Sequence, residues 1–139
     1  MNKELFYDEI INTFKQFEIE DIVKINKGDH HFLVLTIDEE DDLKEYKIII
    51  DFMDDDYLSI YTSFKHNVVT NNDKINLLKI INKFNKESFL KFQVDNKYLF
   101  INYNLPELNQ DDYEKVVRIV CIIPNLIKEF HADFKKYME

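Results

Sequence analysis

Apolar and polar positions along this chain change period several times, and the changes mark its elements. From Lys3 to Phe17, Phe6, Ile10, Phe14 and Phe17 recur at helical spacing, opposed by Asp8, Glu9, Asn12 and Gln16. A short apolar run, Ile22 to Ile25, leads into Asn26-Lys27-Gly28-Asp29. Gly28 is the only glycine, and its place in that turn predicts a positive φ. Two strands follow, His31 to Ile37 (HFLVLTI) and Tyr46 to Met53 (YKIIIDFM), separated by the acidic loop Asp38–Asp42. In the second, Tyr46, Ile48, Ile50 and Phe52 form the inward set and leave Ile49 and Met53 outward. Asp54-Asp55-Asp56 reads as a turn into a fourth strand, Tyr57 to Phe64. There Leu58, Ile60 and Phe64 oppose Tyr57, Ser59, Tyr61 and Ser63.

A second helix is expected from Asp73 to Asn85, capped by Asn72, with Leu77, Ile80, Ile81 and Phe84 as its stripe and Ile75 and Leu78 widening it. Phe89 to Val94 and Tyr98 to Leu105 then alternate around Asp95-Asn96, a pair that tolerates the positive φ of a two-residue hairpin turn. Leu90, Phe92, Val94, Leu99, Ile101, Tyr103 and Leu105 fall on one face. The other begins with the rings of Phe89, Tyr98 and Phe100 and ends in asparagines. Pro106 stops the strand, and Asn109 is placed to cap a last helix, Gln110 to Tyr137, with Asp111 and Asp112 in its first turn. That helix is apolar on more than one stripe, which predicts burial on most sides. It contains Pro124, which predicts a kink near Val120–Pro124 or two helices. The order is α-β-β-β-β-α-β-β-α. It makes an α+β domain, residues 1–139, with helices flanking an antiparallel sheet.

Composition narrows the setting. At 139 residues and 45% hydrophobic content the chain suits one packed domain, and one Gly with two Pro leaves no linker. A net charge of −9 argues against nucleic acid and anionic membrane surfaces as partners. Cys121, the only cysteine, can form no internal disulfide, and the first residues show no signal peptide. A cytoplasmic protein is expected.

Reactive chemistry is sought without success. His30 and His31 are strand neighbours whose side chains diverge, and His66 and His131 have no partner at ligand spacing, so no metal is expected. Asp51 with Asp54-Asp55-Asp56 lacks the central Gly and closing Glu of a calcium loop. Cys121 sits in an apolar helix and is expected to pack as a small hydrophobe. No cofactor and no catalytic residue are expected.

Surface remains as a source of function. Ile49, Tyr57, Tyr61, Phe89, Tyr98 and Phe100 fall on the strand faces opposite the aliphatic sets and would form one apolar patch if their strands were neighbours. The last helix covers that patch, or it is a self-association face, or it receives another protein.

Three segments carry a family likeness: NKGDHHFLVLTIDEE, KINLLKIINKFNKESFLKFQVDNKYLFINYNLP and QDDYEKVVRIV. With the element order, they resemble the YbjN-domain family, whose fold is that of type III secretion chaperones. The resemblance implies a small, acidic, non-enzymatic protein that forms a homodimer and has no catalytic residues. It also implies that a partner segment is held in extended form on apolar patches of sheet and helix. The expectation is therefore a protein-binding module, chaperone-like or regulatory, whose acidic rim favours basic partners. An immunity- or antitoxin-type protein that neutralises one folded partner is the alternative.

Overall fold

A computed structural model describes residues 1–54 and 57–138. The expected turn at Asp54-Asp55-Asp56 lies largely outside the described residues, as does the acidic cluster it would share with Asp51. The elements are α1 (Lys3–Gln16), β1 (Ile22–Lys27), β2 (His30–Ile37), β3 (Tyr46–Asp54), β4 (Tyr57–Lys65), α2 (Asn71–Glu87), β5 (Lys91–Val94), β6 (Tyr98–Leu105) and α3 (Tyr113–Phe134), closed by a 3-10 turn at Lys135–Tyr137. This is the α+β order that the periodicity predicts. The six strands form one antiparallel sheet in the order β1-β2-β3-β4-β6-β5.

All three helices pack on the same face of that sheet. Phe6 of α1 meets Phe52, Phe84 of α2 meets Phe92, and Phe134 of α3 meets Phe64. Each strand partner belongs to the inward set, whose members Ile48, Ile50, Leu58 and Ile60 are fully enclosed. Phe84 is the hub of the junction. Its ring stacks on Phe130 at 4.3 Å and lies within 5.2 Å of Phe92 and 6.1 Å of Phe134, so one residue ties α2, β5 and α3 together. Tyr7 is a second tie: its hydroxyl donates to the His31 carbonyl at 2.8 Å and accepts from the Phe52 amide at 3.4 Å. Burial pushes the Tyr7 phenol well up, so it stays protonated and keeps donating.

Several local expectations need correction. Thr70, not Asn72, caps α2, its hydroxyl accepting from the Asp73 amide at 3.2 Å. Ile75 and Leu78 are exposed, because only Leu77, Ile81 and Phe84 turn fully toward the core. Phe17 is exposed beyond the end of α1, whose inward face uses Tyr7 in its place. Gly28 has the expected positive φ of 64°. Asp95 and Asn96 do not, since the only non-glycine residues described with positive φ are Glu18, Asp41 and Glu107. The β5–β6 turn is instead held by the Asp95 carboxylate, which accepts from the amides of Lys97 and Tyr98, each at 2.8 Å. The last helix starts later than expected, at Tyr113, because Asp112 spends its carboxylate on the Asn109 amide in a preceding turn. It is also one helix and not two, running through Pro124 to Phe134. One flank stays open, where Ile122 and Cys121 are exposed, so burial on most sides does not hold.

Two measurements check this reading. Phe84→Ala should lower the unfolding free energy by about 3–5 kcal/mol, seen as a lower urea midpoint, because the packing of three elements loses its common ring. The amides beside Asp95 hold its carboxyl below the ordinary value of 3.8. Its stabilisation is therefore present above that value and is lost as pH falls through the lower folded value. Unfolding midpoints measured from pH 5 to pH 2 should fall less steeply in Asp95→Asn than in the native protein.

Candidate functional site

With the helices on one face, the other face of the sheet has no cover among the described residues. Antiparallel pairing fixes what stands on it, because directly opposed residues share a face. Val23, Val34, Ile49 and Tyr61 form a continuous row across β1 to β4, and Ile25 and Phe32 lie beside it. Val23 is 54% exposed, whereas Val34 is only 8% exposed because its neighbours in the row crowd it. An open antiparallel face ordinarily alternates to polar residues outward. Here the middle of the face is apolar over four strands.

The six sequence-selected residues separate into three groups. Ile49 and Tyr61 are direct cross-strand partners in the middle of the row, and Tyr57 follows on the same side of β4. Tyr98 and Phe100 stand together on β6 with ring centroids 5.9 Å apart, and Phe100 pairs with Ser63 while Asn102 pairs with Tyr61. Polar Ser63 and Asn102 therefore divide these rings from the Ile49–Tyr61 row. Phe89 does not belong to the face at all. The strand begins at Lys91, so the alternation does not extend back to Phe89, whose ring meets Tyr103 edge-on at 5.2 Å on the helix side. The last helix covers none of Tyr98, Phe100, Ile49 or Tyr61, since it packs on the opposite face.

Val23, Ile25, Phe32 and Val34 were missed as face residues. The signal was present in HFLVLTI, which is apolar at successive positions and not at alternate ones, a pattern that dresses both faces of a strand.

Charge on this face departs from that of the whole chain. Lys27, Lys47, Lys65 and Lys91 occupy its outward positions, and Asp51 is the only acid at a described outward position with a described side chain. Asp51 is 6% exposed, with its carboxylate 2.8 Å from His30 Nε2. Among the described side chains, the outward strand positions carry more lysines than acids. The Asp38–Asp42 loop holds five acids in a row, of which Glu40 pairs with Lys128 and Asp42 with Lys135.

At one end the sheet divides. β3 pairs with β4 from Ile49 onward, while Tyr46, Lys47 and Ile48 pair only with β2, and Thr62 to Lys65 pair only with β6. The Thr62 hydroxyl bridges the gap, donating to the Lys47 carbonyl at 2.7 Å. The rings of Tyr46 and Phe64, 5.1 Å apart, stand on the helix side of the division. A cleft of about 650 Å³ opens there, running from Ile49 and Tyr61 to the end of α3.

No protein-family model and no curated protein matches this chain. Among the described residues no group of three or more His, Cys, Asp or Glu could hold a metal ion, and no helix is long and apolar enough to cross a membrane.

Cys121 is exposed and does not fill the core, because it turns to the open flank of α3. Partial burial nevertheless pushes its thiol above the ordinary 9.0. A thiol-reactive disulfide reagent should label one equivalent without denaturant, at a rate that is slow at pH 7 and still rising beyond pH 9.

Proposed function

We propose that this is a non-enzymatic protein-binding module, chaperone-like or regulatory, that holds a partner polypeptide on the open face of its sheet. The observation that carries the reading is the apolar row Val23–Val34–Ile49–Tyr61, which no element of the chain covers among the described residues. Val23 and Ile25 are exposed and Ile49, Tyr61 and Phe32 half-buried, so each still forgoes part of the about 1.5–3 kcal/mol that full burial of a large apolar side chain supplies. Covering that remaining apolar surface is a source of binding energy. The lysines at its margins favour a partner that brings apolar and acidic side chains, in place of the basic partner that net charge alone suggests. A second copy of the chain would set lysine against lysine if the two faces met directly, so a different polypeptide fits better than a face-to-face homodimer. The division by Ser63 and Asn102 makes Ile49 and Tyr61 the anchor, with Tyr98 and Phe100 as a subsidiary contact.

The test is capture from the native host, followed by binding of the purified partner to variants. Ile49→Glu and Tyr61→Glu should each weaken binding at least about tenfold, as expected for anchors in the middle of an interface. Ile75→Glu, on the exposed side of α2, should leave it unchanged. Equal affinities across all three variants would remove the sheet face from consideration.

A further inference from the structure

The cleft where β3 and β4 separate combines two kinds of lining. Ile49, Tyr61 and Phe64 contribute apolar lining, and Lys44, Lys47, Lys65, Lys135 and Lys136 line the cleft as well. Among the described residues, two acids, Asp42 and Glu45, share that lining, and Asp42 pairs with Lys135 at 3.3 Å. The Lys47 side chain is exposed. In a chain of net charge −9, five of the lysines converge on one apolar cleft. Its volume of about 650 Å³ falls within the roughly 300–1,000 Å³ of small-molecule sites.

From this juxtaposition we propose that the cleft is a binding site for an amphiphilic organic anion, an acyl or aryl carboxylate whose apolar body lies on Ile49, Tyr61 and Phe64 and whose charged head is held by the lysines. The charge selects the head group. A cationic amphiphile would meet the same apolar lining and be repelled by the lysines, and a bare inorganic anion would find the charge and leave the apolar lining unused. The site shares Ile49 and Tyr61 with the partner-binding reading and differs from it in its head-group contacts, which lie at the sheet's divided end and not along the apolar row.

The probes are dodecanoate, dodecyltrimethylammonium and inorganic phosphate, each titrated below its micellar range by calorimetry and by amide chemical shifts. Dodecanoate should bind and move the resonances of Thr62 and Phe64 more than those of Val23 and Phe32. Lys47→Glu and Lys135→Glu should each weaken it at least about fivefold, while Lys91→Glu, an equal charge change on a distant strand, should not. Circular dichroism of each variant checks that it is folded, and these exposed positions leave the core intact. Equal affinity for dodecyltrimethylammonium, or equal loss in Lys91→Glu, would overturn the proposal, and so would shifts centred on Val23 and Phe32. The Ile75→Glu and Tyr61→Glu partner assay is unaffected by these outcomes, since it uses a different ligand.

Discussion

Side chains on a strand alternate between two faces, and every strand in a sheet must agree on which face meets the core. In this protein that agreement runs through six strands. The inward set is closed over by three helices: α2 and α3 meet at Phe84, Phe92, Phe130 and Phe134, and α1 packs on Phe52. Once α1, α2 and α3 all lie on one side, nothing described remains to cover the other. The apolar residues that β1 to β4 carry outward are thus a consequence of helix placement. A fourth helix would make them core; without one they are surface.

Charge is sorted by the same geometry. The outward positions of the strands hold lysines, whereas the acidic loop Asp38–Asp42 and the helices carry much of the negative charge. Net charge therefore misdescribes the surface a partner would meet. Long-range attraction of basic molecules by a chain of −9 and short-range preference of a lysine-edged face for acids are compatible, because they act at different distances.

The divided end of the sheet gives the open face depth. Were β3 and β4 paired along their whole length, Tyr61 and Ile49 would sit on a flat surface. Bulky Tyr46 and Phe64 stand where the strands part, and the Thr62–Lys47 bond substitutes for the missing ladder. The apolar row, the cleft and its lysines are continuous through Ile49 and Tyr61, which places two of the six sequence-selected residues at the centre of both candidate sites.

Periodicity alone determined the element order and the α+β class, and also most of the core. Residues such as Ile48, Ile50, Leu58, Ile60, Leu77, Phe84, Phe92 and Ile101 are buried because alternation and helical spacing put them on one side of their own element. It also placed the positive φ of Gly28, since a lone glycine in a turn has a local cause. Turn and cap details were less legible: Thr70 and Asp95 took roles that Asn72 and Asn96 could equally have filled, and the winner depends on small differences in backbone direction. Only tertiary structure decided that Phe89 faces Tyr103, that Cys121 is open to solvent, that α3 continues through Pro124, and that lysines from three separate stretches of the chain meet at one cleft. Spacing along a chain reports which side of an element a residue occupies. It does not report which elements lie on that side, and the function proposed for this protein depends on that.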